Sequence, residues 1–171
     1  MEYTLEKWQA GYLDDFMEGT DDPHLSDAMC EFFPYPVDTA YAGEYIRERM
    51  FNSEEKQMCR AIMVNGKVIG GIDIILGEGV YSKNAELSIW ISKGYRGKGI
   101  GSAVMNDCCR ICFERYDIVR VEGHPFSVNK EAAAALERAG FIHEGTIHSG
   151  IFKNGYVHDY EVFAKLKEQT D

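Results

Sequence analysis

The stretch Tyr95-Arg96-Gly97-Lys98-Gly99-Ile100-Gly101-Ser102-Ala103 constrains this chain more than any other. Before it, residues 85 to 91 alternate, with Leu87, Ile89 and Ile91 on one face and Glu86, Ser88 and Trp90 on the other. Such alternation predicts a half-buried strand. After it, Val104, Met105, Cys108, Ile111 and Cys112 recur at helical spacing, which predicts a helix running to Tyr116. The chain must therefore pass from strand to glycine-rich loop to helix. A helix N-terminus leaves backbone N–H groups unpaired and carries partial positive charge. Glycines let that backbone approach an anion, because no Cβ stands in the way. The physical expectation is a phosphate cradle.

Three loop patterns compete for it. A P-loop needs Gly-Lys-Ser/Thr, and here Gly99 follows Gly97-Lys98, so that pattern fails. A dinucleotide fingerprint needs a third glycine where Ser102 stands, although Glu122 supplies an acid downstream. Five residues, Ser92 to Arg96, also separate the strand from the first glycine, where that fold turns at once. The third pattern is Arg/Gln-x-x-Gly-x-Gly/Ala, met by Arg96, Gly99 and Gly101. With its strand and helix, it resembles the acetyl-CoA pyrophosphate loop of the GNAT acetyltransferases.

The flanks are readable in part. Tyr3 to Met17 predicts a helix with Trp8, Tyr12 and Phe16 at four-residue spacing, broken by Asp21-Asp22-Pro23 and resuming over Leu25 to Phe33. Pro34 and Pro36 hold an extended link, and Asp38 or Thr39 caps a helix from Ala40 to Met50. Phe32, Phe33, Tyr35, Tyr41 and Tyr45 form either core under a loop or, for Phe33 and Tyr35, a substrate mouth. Cys59 to Val64 and Lys67 to Leu76 predict a hairpin on Asn65-Gly66. Gly70-Gly71 suggests a bulge or a close backbone approach. Asp73 reads as an exposed-face residue or as a contact for an acceptor amine. A strand over Ile118 to Glu122 follows, then a helix from Lys130 to Ala139 capped by Asn129, then a hairpin on Asn154-Gly155. The order predicts one domain over residues 1–171, a mixed α+β sheet with helices on both faces.

Composition narrows the function. The formal charge is −10 with no basic run, which argues against direct nucleic-acid binding and weakly favours cationic partners. No apolar run has the length of a membrane span. The five cysteines, at 30, 59, 108, 109 and 112, lack a second pair to complete a zinc site, so no metal is expected. Reduced thiols used as small apolar residues imply a cytoplasmic protein. His124, His143, His148 and His158 have no metal spacing and read as surface residues; Tyr156, His158 and Tyr160 rim an acceptor site or share a strand face.

Further motifs carry the family resemblance. Asn129-Lys130-Glu131-Ala132 with Leu136-Glu137-Arg138-Ala139-Gly140-Phe141 is similar to a run in the RimJ/RimL-type GNAT proteins. Phe33-Pro34-Tyr35-Pro36 and Asn154-Gly155 with Asp159-Tyr160 resemble that subgroup's ends. The resemblance implies a largely antiparallel sheet with a V-shaped split between two central strands, holding acetyl-CoA as co-substrate. Main chain at Ile89, Trp90 and Ile91 would pair with pantetheine amides. Amides of Arg96, Gly97, Lys98, Gly99, Ile100, Gly101 and Ser102 would hold the pyrophosphate, and Asn129 would touch the pantetheine end. Two positions depart from the pattern: the subgroup's serine is Ala132, and the tyrosine acid of many members is Leu136. The implied activity is direct acetyl transfer to a primary amine, a peptide N-terminus or a small amine, by a monomer or homodimer. Glu86 is the candidate base; a solvent-exposed strand-end carboxylate is the alternative. A CoA-binding module without turnover is the rival from another class.

Overall fold

The computed structural model describes residues 1–29 and 33–168. Strand order in the sheet is β1-β2-β3-β4-β5-β7-β6. Its strands are β1 (Thr4–Glu6), β2 (Gln57–Val64), β3 (Lys67–Leu76), β4 (Asn84–Ile91), β5 (Arg120–Gly123), β6 (Ile142–Lys153) and β7 (Tyr156–Leu166). The helices are α1 (Leu13–Thr20), α2 (Pro23–Ala28), α3 (Thr39–Met50), α4 (Ile100–Arg115) and α5 (Lys130–Arg138). The β4–β5 pairing is parallel; β1–β2, β2–β3, β5–β7 and β6–β7 are antiparallel. This is the expected mixed, largely antiparallel α+β fold. Contacts divide the chain into two compact units, residues Met1–Ile75 with Ser88–Gly101, and residues Leu76–Leu87 with Ser102–Asp171.

The first unit corrects the N-terminal expectation. Thr4–Glu6 do not begin a helix; they pair with Ala61–Met63 of β2. A 3-10 turn at Ala10–Tyr12 then leads into α1. The edge of β2 offers these residues backbone partners, and Gly11 weakens any helix drawn through it. The three aromatics still converge, with Trp8 6.4 Å from Tyr12 and 6.1 Å from Phe16, centroid to centroid. Asp22 and Asp38 cap α2 and α3, accepting from the amides of His24 and Tyr41. The second expected helix ends at Ala28; Cys30 and Phe32 lie outside the described residues.

Phe16, Phe33, Tyr45 and Trp90 make the centre of this core. Phe33 is buried, so it belongs to the core and not to a mouth, whereas Tyr35 is exposed. Trp90, grouped by the alternation with Glu86 and Ser88, is buried. Phe16 of α1 and Tyr45 of α3 cover that face, and the Trp90 indole N–H donates to the Tyr45 hydroxyl at 3.0 Å. The β2–β3 hairpin turns on Asn65 and Gly66, both at positive φ, as a two-residue turn requires. The register shifts between Ile62 and Met63, which supplies the expected bulge. A Cβ on Gly71 would stand 2.7 Å from the Trp90 indole nitrogen and 2.9 Å from the Trp8 ring. Asp73 is 5% exposed, against the expectation of an exposed-face residue. Arg49 of α3 reaches it, with Nε 2.8 Å from Oδ2.

The second unit is built on α4, whose Val104, Met105, Cys108, Cys109 and Cys112 are buried. None of the four described cysteines forms a disulfide, and burial pushes the Cys109 thiol up to about 12. The parallel ladder of β4 with β5 has three pairs, from Asn84↔Arg120 to Glu86↔Glu122, and the register stops there. β5 begins at Arg120, two residues later than expected. Asn129 caps α5 by accepting from the Ala132 amide at 3.0 Å. The last hairpin turns on Asn154 and Gly155, as expected.

Candidate active site

The loop after β4 is shaped by three anchors. The Ser92 amide donates to the Ile69 carbonyl at 2.8 Å, and Lys93–Tyr95 form a 3-10 turn. Arg96 donates from Nε to the Ile91 carbonyl at 2.7 Å and pairs through Nη1 with Asp22 Oδ2 at 2.7 Å. Lys98 folds back onto the Gly94 carbonyl at 2.6 Å. Arg96 and Lys98 are therefore both used on the protein itself. Gly97 and Gly99 have φ of +71° and +80°, a region that side chains adopt rarely. A Cβ at either would meet nothing within 4 Å, so the loop leaves open space beside them. Two buried polar atoms of the loop, Arg96 Nη2 and Ser102 Oγ, have no hydrogen-bond partner. Open space at two positive-φ glycines and the start of a sixteen-residue helix fit a pyrophosphate.

The remaining cofactor candidates are placed as follows. Ile89 and Ile91 are half-buried, and the Trp90 side chain is committed to the core, which leaves only its main chain for a ligand. Asn129 Oδ1 is occupied by the cap of α5. Leu136 is buried, and a Cβ on Gly123 would lie 2.9 Å from its Cδ2; this position offers packing and no acid.

Glu86 does not stand alone. His124 Nδ1 lies 3.3 Å from Glu86 Oε1, and its Nε2 lies 3.1 Å from Glu122 Oε2. The hydrogen bond with His124 holds the Glu86 carboxyl below its ordinary value, outweighing burial. Glu86 in turn raises the imidazole above its ordinary value, with Glu122 adding to it and burial opposing. Arg120 contacts Glu122 and also donates from Nη1 to Glu144 Oε1 at 2.9 Å. Tyr160 stands edge-on to His124 at 5.6 Å between ring centroids. His124 is thus no plain surface histidine, as the spacing had suggested. The signal in the chain was the alternation Arg120, Glu122, His124; its partner Glu86 could not be assigned without the strand register. His143 and His148 pair with Glu161 and Asp159 at 2.6 and 2.8 Å. The Thr146 hydroxyl, then the nearby Ser127 and His143, hold the Glu161 carboxyl down at about 2.

With the loop and this cluster described, comparison decides the family. The model of the acetyltransferase (GNAT) domain matches residues 3–142. The chain belongs to the GNAT acetyltransferase family. The Bacillus subtilis (strain 168) protein named "Putative ribosomal N-acetyltransferase YdaF" is 32% identical over 90 residues. That match spans 53% of this GNAT chain and about half, 49%, of the relative. Two solved structures share the fold. The microcin C7 self-immunity acetyltransferase MccE, in complex with acetyl-CoA and AMP, superposes with a TM-score of 0.84 at 21% identity, over 97% of this chain and 93% of that one. RimL, a ribosomal L7/L12 alpha-N-protein acetyltransferase in complex with coenzyme A, superposes with a TM-score of 0.81 at 16% identity, over 96% and 93%. Among the described residues of this GNAT domain, no helix is long and apolar enough to cross a membrane, and no cluster of three or more His, Cys, Asp or Glu side chains could hold a metal.

Proposed function

We propose that this GNAT chain is an acetyl-CoA-dependent N-acetyltransferase that acts as one domain over residues 1–171 and modifies a primary amine in the cytoplasm. The acceptor we favour is a protein or peptide N-terminus, in line with the names of YdaF and RimL. The observation that carries the donor assignment is the loop from Arg96 to Ser102, with two positive-φ glycines opening onto α4. Bound acetyl-CoA supplies an acetyl group activated as a thioester. The amides of Gly97 to Ser102 hold the pyrophosphate, and main chain at Ile89 to Ile91 holds the pantetheine amides. Asn129, with Oδ1 engaged in its cap, is left to touch the pantetheine end through its remaining amide group.

An amine attacks only when neutral. Glu86 is the carboxylate assigned to take its proton, directly or through water. Its side chain is 62% exposed, so an acceptor arriving from solvent can reach it. The net charge of −10 favours the approach of a cationic acceptor. Leu136 at the tyrosine position supports the rival view, a CoA-binding domain without turnover. Thiol release from acetyl-CoA with a panel of amines separates them: peptides with free N-termini, a polyamine and a simple alkyl amine. Turnover with peptide α-amines is the expected result. Tight acetyl-CoA binding with no amine-dependent thiol release would favour the binding module.

A further inference from the structure

Glu86 and Glu122 are register partners on adjacent parallel strands, so their side chains share one face of the sheet. Like charges placed side by side in this way destabilise a strand pair. His124, two residues beyond Glu122, lies on that same face and bridges both carboxylates at 3.3 and 3.1 Å. Arg120, two residues the other way, contacts Glu122 and reaches Glu144. The result is a row of alternating charge in which the two acids have unequal freedom. Glu122 is held from both sides and its side chain is 22% exposed, whereas Glu86 is 62% exposed.

We propose that these three residues form a proton relay for the acceptor: Glu86 meets the amine, and His124, oriented by Glu122, holds the proton that Glu86 takes up. The relay rests on the transferase reading and makes His124 a positioning and proton-holding residue. In its resting form the Nε2–H of His124 donates to Glu122, which leaves the Nδ1 lone pair toward Glu86. An N–H bond of the acceptor ammonium breaks, and the proton bonds to a Glu86 oxygen. The Glu86 carboxyl then passes a proton from Oε1 to Nδ1 and becomes a carboxylate again. The nitrogen keeps the electron pair and becomes a neutral nucleophile; the imidazolium later returns its proton to solvent. Atoms and charge balance, and no further reactant is needed.

The relay also selects an acceptor. A carboxylate alone is mismatched to a peptide α-amine of pKa about 7.7–8.0, and more so to a lysine-like amine of about 10.4. An imidazole, ordinarily 6.5 and raised here, is better matched to the α-amine than a carboxylate is, and better matched to the α-amine than to the alkyl amine. The charged or titratable groups facing His124 include Glu86 from β4, Glu122 from β5 and Tyr160 from β7. Arg120 and Glu144 stand one contact further.

The test joins imidazole titration by NMR with the pH profile of kcat/KM for a peptide with a free N-terminus, both on the full chain. In Glu122→Gln the His124 pKa should fall, and the acidic limb of the profile should move down by the same amount. The acceptor's own titration is common to both proteins, so the shift isolates the enzyme group. In His124→Gln, turnover should drop by about 10²-fold and that limb should keep only the acceptor's own titration. A limb that stays in place while the NMR pKa moves, or a wild-type profile in His124→Gln, overturns the relay alone. No turnover with any amine, despite acetyl-CoA binding, overturns the transferase reading and the relay together.

Discussion

Arg96 and Asp22 form a largely enclosed ion pair, Nη1 to Oδ2 at 2.7 Å, with side chains 22% and 9% exposed. Through this pair the cofactor loop is fastened to the first turn of α2, whose cap is the same Asp22. Burial raises the Asp22 carboxyl, but the His24 amide and Arg96 outweigh it, and the group ends below its ordinary value. The arginine of the loop motif therefore acts first as a strut for the loop backbone.

Asp22→Asn keeps a capping side chain and removes the charge. Hydrogen bonds to charged groups contribute about 1.5–3 kcal/mol, so acetyl-CoA should bind about 10- to 100-fold more weakly. The α-helical circular dichroism should not change. Titration of acetyl-CoA into the variant checks this, and wild-type affinity would show that the strut is idle.

Asp73 and Arg49 tie β3 to α3, and the guanidinium lies 3.3 Å over the Tyr45 ring. Removing one charge of an enclosed pair strands the other, which costs about 3–5 kcal/mol. Asp73→Asn should lower Tm by roughly 10 °C. Thermal denaturation within a degree of wild type would assign Asp73 some role other than holding α3.

The Glu86–His124 contact gives stability a pH window. Glu86 titrates below its ordinary 4.5 in the folded state, so its contribution is complete above 4.5 and is lost as pH falls. His124 titrates above its ordinary 6.5, so its contribution is complete below 6.5 and is lost as pH rises through the folded value. The stability difference between wild type and Glu86→Gln should therefore be greatest between these two values. Urea denaturation across the range checks it; a difference that does not vary with pH would mean the contact contributes nothing.

Catalysis by Glu86→Gln should fail differently from binding. Acetyl-CoA affinity should survive, while kcat falls by about 10²–10⁴-fold. The loss should be greatest below the acceptor's pKa and shrink as pH rises, because the amine then arrives neutral. Steady-state kinetics with a peptide acceptor measure this, and a wild-type kcat across that range would remove Glu86 from the proton path.

Local chemistry explains what was legible. Asn65-Gly66, Asn154-Gly155, the caps Asp38 and Asn129, and the strand–loop–helix around Gly97 and Gly99 each depend on neighbours in the chain. The structure bears out all of these elements. Three readings depended on partners far away in sequence. Thr4–Glu6 formed a strand because β2 had an edge to offer. Asp73 lost its solvent because Arg49 of α3 covers it. His124 gained its acids from a register that no single strand encodes.

Acetyl-CoA binding to a folded Gly99→Val protein, followed by isothermal calorimetry, tests the central assignment most directly. Gly99 sits at φ +80° beside open space, so valine both strains the loop and fills the cradle. Each backbone donor moved away from a phosphate forfeits about 1.5–3 kcal/mol. Affinity at least about tenfold below wild type, with circular dichroism unchanged, is the predicted result. Unchanged affinity in a folded Gly99→Val protein would contradict the placement of the pyrophosphate on this loop.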